Sequence, residues 1–156
     1  MRLTFLVAED QKLIFTAEAV AQMLAFAQRS WYQREAGGVL LGRYLLESND
    51  VVVDEVTTPQ CRDRRSRFAF FRSSNHHQLA QEKWKLSNST LAYLGLWHTH
   101  PEKDPLPSSV DRHDWEDAVA NHVYHGDRLY FPIVGTDCIR FWTKSQSGAI
   151  RELPRV

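Results

Sequence analysis

The chain has 156 residues, which is enough for one domain with a substantial core and too few for two of ordinary size. Its 43% hydrophobic and 24% charged residues are typical of a soluble globular protein. Nineteen basic residues balance nineteen acidic ones, so no net charge attracts the chain to nucleic acid or to an anionic membrane. No apolar run approaches the roughly 20 residues that cross a bilayer, and acidic residues occur too early for a secretory signal. We therefore expect a cytoplasmic protein with a single domain over residues 1–156.

Two cysteines, Cys61 and Cys138, lie outside any CxxC spacing. They give no zinc-finger or redox signal, and they could pair only if the fold brought them together. We expect two free thiols.

The first elements of the chain are two short strand patterns, RLTFLV and KLIF. The spacing then becomes helical, with Val20, Leu24 and Ala27 on one face. Thr16 is a plausible N-cap, so a helix is predicted over residues 16–31. The next two patterns, GGVLLGRYLLE and VVVDEVTT, flank the turn-type connection SND and predict a hairpin.

The second part of the chain opens with a polar, basic loop, PQCRDRRSR, followed by FAFF. The segments NHHQLAQEKWKLS and SSVDRHDWEDAVANHV have helical patterns, and LAYLGLW between them is typical of a buried strand. Up to three more strands are predicted in RLYFPIVG, CIRFWTK and AIRELP. Two or three helices around one sheet of six to eight strands make an α/β or α+β fold.

Two histidines end the buried strand, in the sequence LGLWHTHP. Because side chains alternate along a strand, His98 and His100 project from the same side, roughly 6.5 to 7 Å apart along the chain. That spacing allows two imidazoles to bind one ion at about 2.0–2.1 Å each. HxH is also a common coincidence, so the pair alone does not establish a metal site.

An aspartate follows at a distance that changes this interpretation. Asp111 lies eleven residues after His100, in a segment that Ser108 and Ser109 open. A helix beginning there would direct the carboxylate toward the histidines, and the three ligands would leave the fourth tetrahedral position of a catalytic zinc for water. The alternative is a capping box, in which Asp111 only satisfies a backbone N–H; both roles cannot easily use one carboxylate oxygen.

An open zinc site needs a base, normally a carboxylate that does not bind the metal. The candidate is Glu35, in REAGGVLLG. Gly37 and Gly38 beside it indicate a close approach of two backbones. The glycines could equally be a helix stop, and Glu35 a solvated acid.

Together these residues resemble the JAMM (MPN+, or JAB) metalloprotease family. Its motif is a glutamate before a glycine-rich strand, then HxHP, then serine and aspartate eight and eleven residues past the second histidine. Every motif position is filled, by Glu35, His98, His100, Ser108 and Asp111. The resemblance implies a cytidine-deaminase-like, three-layer fold in which helices flank a mixed central sheet.

The resemblance also implies the role of each motif residue. One zinc ion per chain would be held by His98, His100 and Asp111, with water as the fourth ligand. Glu35 would activate this water and then protonate the leaving amine, while Ser108 would donate to the oxyanion. Such a reaction needs no cysteine or serine nucleophile.

The implied activity is cleavage of an isopeptide or peptide bond after the C-terminal tail of a protein. The compact length and the form of the motif are most similar to the stand-alone bacterial branch, and within it to the deconjugase of anti-phage CBASS operons. The implied partner is a ubiquitin-like protein or a conjugated nucleotidyltransferase with an extended tail. Two alternatives stay open: a processing protease for a sulfur-carrier or ubiquitin-like precursor, and a non-catalytic MPN-type interaction module.

The segment CRDRRSRFAFFR offers a candidate substrate contact, along which an extended tail could add as a strand. Its candidate residues are Arg62, Arg64, Arg65, Phe68 and Phe70. The two phenylalanines alternate as they would in a strand, or lie in the core. Nucleic acid would also suit arginines and aromatics, but the patch is short and the net charge is zero, so we expect no nucleic-acid partner.

Several other polar or aromatic residues are assigned no chemistry. The tryptophans at 97 and 115 are expected in the core or in a groove wall, and Glu102 is expected to be solvated. Surface or capping positions are expected for His76, His77, His113, His122 and His125.

Overall fold

The structure is a computed structural model, and it describes all of residues 1–156. Apart from β5, which lies in the segment predicted as a loop, strands and helices follow one another in the order that the sequence patterns predict. In chain order they are β1 (Leu3–Ala8), β2 (Gln11–Phe15), α1 (Ala17–Leu24), β3 (Gly37–Tyr44), β4 (Val51–Val56), β5 (Arg64–Ser66), β6 (Ala69–Phe71), α2 (Asn75–Leu86), β7 (Ala92–Thr99), α3 (Ser109–Asn121), β8 (Arg128–Val134), β9 (Ile139–Ser145) and β10 (Arg151–Glu152).

Eight strands form one mixed sheet in the order β1-β2-β4-β3-β7-β8-β9-β10. Neighbours are antiparallel except for β2 with β4 and β7 with β8. After β10 the chain crosses to β1, where Leu6 N–H donates to the Pro154 carbonyl at 3.0 Å and Val156 N–H to the Thr4 carbonyl at 2.9 Å. The last residues therefore cover the β1 edge, and the sheet curls on itself. β5 and β6 form a separate hairpin.

The helices lie on both faces of this sheet. Along β3, Leu40 belongs to the core cluster that includes α1 and Trp97, whereas Val39 belongs to the cluster that includes α3 and Trp115. Alternate residues of one strand point to opposite faces, so the structure has three layers. This confirms the predicted α/β fold with a mixed sheet flanked by helices, and both tryptophans are core residues. None of the helices combines the length and apolar character needed to cross a membrane.

The first helix is shorter than its pattern predicts, because α1 ends at Leu24 rather than at residue 31. Beyond this point the N–H groups of Phe26 and Ala27 bond three residues back, which tightens the chain into a turn. Gln28 is then buried, and its amide donates to the Arg67 carbonyl at 2.9 Å. Tertiary contacts of the following loop thus override the helical spacing.

The basic segment is a hairpin rather than a loop. Arg65 pairs with Phe70 in its register, and Arg67 and Phe68 form the turn. The alternation predicted for the two phenylalanines is therefore wrong, since a two-residue turn takes Phe68 out of the strand. Phe68 is 75% exposed, whereas the ring of Phe70 packs against the backbone of Gly37.

The prediction of a surface or capping position is wrong for His76, which is fully buried. Its Nδ1 lies 2.7 Å from Thr57 Oγ1 and its Nε2 lies 2.7 Å from Asp63 Oδ2. The Asp63 carboxylate also accepts the N–H groups of Gln60 and Ser73 at 2.8 Å each. This buried network ties both ends of the hairpin to the end of β4.

The cysteines are both exposed and unpaired, as predicted. Burial and the nearby Asp104 carboxylate raise the pKa of the Cys138 thiol. A raised pKa leaves a thiol protonated and weakly nucleophilic. Cys138 is therefore not a candidate nucleophile.

Candidate active site

The two motif histidines lie at the carboxyl end of β7, one residue apart. Thr99 between them donates its N–H to the Ala36 carbonyl at 2.8 Å, and His100 N–H donates to Val134 at 2.9 Å. The strand end is thereby held on both sides. The Nε2 atoms of His98 and His100 lie 3.0 Å apart, and the two residues are only 5% and 7% exposed.

Helix α3 begins beside this strand end and places Asp111 against both imidazoles. Asp111 Oδ1 lies 3.2 Å from His98 Nε2, and Oδ2 lies 3.1 Å from His100 Nε2. Oδ2 also accepts the N–H of Ser108 at 2.8 Å, as one half of a capping box. The cap and the approach to the histidines are therefore not alternatives, because one carboxylate does both.

Ser108 completes the capping box through its hydroxyl oxygen, which accepts the Asp111 N–H at 3.1 Å. A hydroxyl that accepts through a lone pair keeps its own proton available for donation. Ser108 lines the same groove as the histidines. Its O–H is thus free to donate to a group bound beside the histidines.

The three side chains have the donor set and spacing of a metal site. Each Nε2 can make one bond, yet each faces the other imidazole and a carboxylate oxygen at 3.0 Å to 3.2 Å. Ligand atoms that share a tetrahedral zinc at about 2.0–2.1 Å lie about 3.3 Å apart. These atoms therefore fit around a single ion, whereas protons cannot satisfy all of their contacts.

Glu35 lies in the loop before β3. Its carboxylate is within 4.8 Å of the ring nitrogens of His98 and His100, but Asp111 makes the direct contacts with them. The hairpin holds its backbone, because Glu35 N–H donates to Ser66 at 2.7 Å and Arg65 Nε donates to the Glu35 carbonyl at 2.7 Å. Glu35 is thus a buried, positioned acid rather than a solvated one.

The glycines after Glu35 are the first residues of β3, and they are not a helix stop. A Cβ on Gly37 would lie 2.5 Å from the Phe70 ring and 2.5 Å from the Trp97 carbonyl oxygen. A Cβ on Gly38 would overlap the Thr57 carbonyl. Close approach of neighbouring chains therefore requires glycine at both positions.

The charges of the cluster are strongly coupled. Burial raises the pKa of Asp111, but the charge of His98 and the hydrogen bond of His100 outweigh burial and hold this pKa well below its usual range. Burial raises the pKa of Glu35 to about 7, against the lowering effect of His100. The surroundings thus favour the ionised form of Asp111 and, without a bound cation, the protonated form of Glu35.

A groove of about 1110 Å³ contains the cluster and continues beyond it. The hairpin supplies one wall through Phe68 and Phe70, and α3 supplies the other through Asp114 and Asp117. His113 also lines this groove. The cluster is therefore open to an extended ligand along the groove.

The five residues predicted to contact substrate have different positions. Phe68 and Phe70 line the groove. Arg65 is half-buried and bonds to the Glu35 carbonyl instead. Arg62 and Arg64 are exposed and do not line the groove.

Two polar residues near the cluster were assigned no role from the sequence. Glu102 is exposed, as expected, and its Oε1 also lies 2.8 Å from His100 Nδ1. A proton held between this carboxylate and Nδ1 leaves the Nε2 lone pair of His100 facing Asp111. The only sequence signal is an acid two residues after a candidate ligand.

Arg72 is the second of them, and it connects three elements of the site. Its Nε donates to the Gly38 carbonyl at 2.9 Å, and its Nη2 donates to the Trp97 carbonyl at 2.8 Å. Its Nη1 bonds to Asp114 Oδ2 at 3.1 Å. β3, β7 and α3 are thus held together beside His98 by one guanidinium, a role that no local pattern indicates.

Comparison with known proteins gives a consistent result. The family model described as prokaryotic homologs of the JAB domain matches residues 16–144. A protein of Pseudomonas aeruginosa named CD-NTase/cGAS isopeptidase is 34% identical, over 69% of this chain and 69% of its own length. A protein of the same name from Vibrio cholerae is 34% identical, over 74% of this chain and 73% of its own. A solution structure from Desulfitobacterium hafniense, at 21% identity, shares the fold with a TM-score of 0.63 over 90% of this chain and 88% of its own.

Proposed function

The chain belongs to the prokaryotic JAB-domain family, and on that basis we propose that it is a zinc-dependent isopeptidase that removes a protein from its conjugates. The observation that carries this proposal is the convergence of buried His98 and His100 with half-buried Asp111, beside buried Glu35. Isopeptidase relatives support a deconjugating hydrolase. The dependence on zinc and the identity of the substrate are proposals.

The proposed ligands are His98, His100 and Asp111, with one zinc ion per chain. When bound, zinc would lower the pKa of a coordinated water and polarise the scissile carbonyl. Glu102 would orient the imidazole of His100 through its Nδ1.

The proposed base is Glu35. In amide hydrolysis the water oxygen bonds to the carbonyl carbon while its proton passes to the Glu35 carboxylate. The C–N bond then breaks, and Glu35 returns the proton to the leaving nitrogen, so that a carboxylic acid and an amine are formed. Burial raises the pKa of Glu35 and so favours its protonated form after the first transfer, whereas a cation bound nearby would favour the carboxylate that takes the proton first.

Ser108 is proposed to donate its hydroxyl proton to the oxygen on which negative charge develops. Its oxygen already accepts the Asp111 N–H, which fixes the side chain at the start of α3. A fixed donor needs no reorganisation during the reaction, and one donor of this kind lowers the barrier by roughly 3–4 kcal/mol.

The substrate tail is proposed to lie along β6, between the hairpin and α3. β5 is the one strand that pairs with β6, so the other edge of β6 has no strand beside it. An added strand on its other side would follow the groove, with Phe68 and Phe70 as wall residues. The tail would belong to a nucleotidyltransferase, as the names of the relatives suggest, or to a ubiquitin-like protein. In this proposal residues 1–156 form one catalytic domain.

The test uses two substrates: a bacterial CD-NTase whose C-terminal carboxylate is joined to a lysine side chain of a reporter protein, and a linear fusion of the same two proteins. We expect release of the reporter, about one zinc per chain by elemental analysis, loss of activity with a chelator and recovery with zinc. Glu35→Gln should abolish cleavage while zinc content is kept. The matched control is Glu9→Gln, which changes an exposed acid in the turn between β1 and β2.

Three results would redirect the proposal. Cleavage that survives Glu35→Gln, or full activity without zinc, would contradict the mechanism. Bound zinc without cleavage of any conjugate would favour a non-catalytic interaction module. Cleavage of linear precursors alone would favour a processing protease.

A further inference from the structure

Three aromatic side chains project into solvent beside the mouth of the groove. Trp31, Tyr32 and Phe68 are 81%, 69% and 75% exposed. Trp31 and Tyr32 pack edge to face, with ring centroids 6.0 Å apart. Aromatic side chains grouped in this way on a surface are typical of protein-binding sites. We call these three residues the aromatic patch.

The aromatic patch is one surface although its members are far apart in sequence. Arg67, at the tip of the hairpin, donates through Nη1 to the carbonyls of Ser30 at 3.2 Å and Trp31 at 2.6 Å. The Arg67 guanidinium also lies over the Phe68 ring, 5.6 Å from its centroid. The hairpin tip and the loop of Trp31 are thereby held together, so the backbone that carries the three rings is already positioned before a partner binds.

The surface around the patch is strongly basic, although the chain as a whole has no net charge. The acidic residues in the two segments, Glu35 and Asp63, are turned inward, and Asp63 bonds to buried His76. No arginine of these segments lies within 4.0 Å of a carboxylate oxygen. The two segments, 29–35 and 62–67, contribute Arg29, Arg34, Arg62, Arg64, Arg65 and Arg67.

The patch is continuous with the groove, because Phe68 belongs to both. The Ser66 carbonyl beside it accepts the N–H of Glu35. A protein whose tail lies in the groove must therefore place its folded part near one end of the groove. We infer that the aromatic patch and its arginines bind an acidic surface on the folded domain from which the substrate's tail emerges. This inference rests on the proposed function.

Nucleic acid fits the same surface less well. The groove that adjoins the patch has an acidic wall, formed by Asp111, Asp114 and Asp117 of α3. Phosphates that continued from the arginines into the groove would meet these carboxylates at close range. A protein partner can suit both surfaces. Its acidic face would lie on the arginines, and a tail without acidic residues would lie beside the acidic wall of the groove.

The experiment compares a whole substrate with its tail alone. The probes are the CD-NTase–reporter fusion and a peptide of about ten residues on each side of its scissile bond. We expect Trp31→Ala combined with Tyr32→Ala to raise KM for the fusion about tenfold or more, which is typical of losing aromatic hot spots. kcat for the fusion and kcat/KM for the peptide should be unchanged.

A second variant tests the charge, and matched controls test specificity. Arg29→Glu with Arg34→Glu should raise KM for the fusion in the same way, and this loss should shrink in high salt. Arg2→Glu and Leu46→Ala change an exposed arginine and an exposed apolar residue elsewhere, and should have no effect.

The outcomes separate this inference from the proposed function. Equal losses on fusion and peptide, or no loss on the fusion, would overturn the docking surface while cleavage itself stands. If the wild-type protein cleaves neither probe, the affinity of the Glu35→Gln variant for the CD-NTase tests the inference instead. An affinity that the patch substitutions leave unchanged would overturn the inference. Patch-dependent binding of a single-stranded oligonucleotide, without patch-dependent binding of the CD-NTase, would also overturn it.

Discussion

Replacing Arg72 tests whether one buried guanidinium holds the candidate site together. Its side chain is 11% exposed and bonds to the Gly38 and Trp97 carbonyls and to Asp114. Arg72→Met keeps the length and most of the packing of the side chain, but it removes all three bonds and leaves two carbonyls without this donor. We expect both the fold and the metal affinity to weaken.

The magnitude follows from the three contacts. A hydrogen bond to a charged group contributes about 1.5–3 kcal/mol. Two such bonds reach carbonyls in the protein interior, whereas the pair with Asp114 contributes at most about 1 kcal/mol because that carboxylate is half exposed. Since neighbouring terms do not add fully, we expect Arg72→Met to lower the free energy of unfolding by about 3–5 kcal/mol.

The metal affinity should fall as well, because the bonds of Arg72 adjoin two proposed ligands. Trp97 precedes His98 in β7, and Asp114 is one helical turn beyond Asp111 in α3. Loss of residues that orient ligands commonly weakens metal affinity by about 10- to 100-fold. We expect at least about a tenfold loss, measured by competition with a chromophoric chelator.

Urea unfolding measures the change in stability, and Arg43→Met is the matched control. Arg43 pairs with Asp54 at 2.8 Å, but the two side chains are 44% and 26% exposed, so a loss below about 1 kcal/mol is expected. Arg72→Lys should recover part of the stability but not all three bonds. The reasoning is refuted if Arg72→Met costs no more than Arg43→Met, or if zinc binds to it as tightly as to the wild type.

Three further substitutions test separate contacts. Gly37→Ala forces a Cβ to within 2.5 Å of the Trp97 carbonyl and should cost about 1–3 kcal/mol in urea unfolding; an unchanged midpoint would show that the strands separate easily. Ser108→Ala should lower kcat about 10²- to 10³-fold with little change in KM, whereas Ser109→Ala should leave both unchanged; equal rates for the two variants would exclude Ser108 as a donor. Burial and the charge of His122 lower the pKa of His77 from 6.5 to about 4. Below pH 6.5 the unfolded chain therefore binds a proton that the folded chain does not, and stability should fall as the pH decreases from about 6.5 to 4. His77→Gln should make this decrease in the urea midpoint shallower, and an identical pH profile would contradict the assignment.

The parts of the fold that the sequence predicts depend on short-range patterns. The N-cap of α1, the hairpin of β3 with β4 and the buried strand β7 all follow from periodicity and turn residues within a few positions. The convergence of Glu35 with the histidines does not, because it joins segments more than sixty residues apart. The residues alone offer Glu35 as a candidate base with a solvated acid as the alternative, and the resemblance to a family whose motif contains this glutamate favours the first.

Contacts without a local pattern were missed for the same reason. His76 is buried because Asp63 and Thr57 satisfy both ring nitrogens, and neither partner is near it in sequence. Arg72 ends a basic, aromatic run whose composition is typical of a solvated segment. Only the positions of β3, β7 and α3 show that its donors point inward.

Asp111 shows how closely the candidate site depends on the start of α3. Its Oδ2 accepts the Ser108 N–H at 2.8 Å while facing His100 at 3.1 Å, and its Oδ1 faces His98 at 3.2 Å. The partial positive charge at a helix N-terminus stabilises a carboxylate there, so the helix helps to hold this anion between two imidazoles. The first turn of α3 cannot open without moving the carboxylate away from the histidines. A cation bound by these three residues would therefore stabilise the helix start, and the fold with it, by an amount that rises with its affinity and its free concentration.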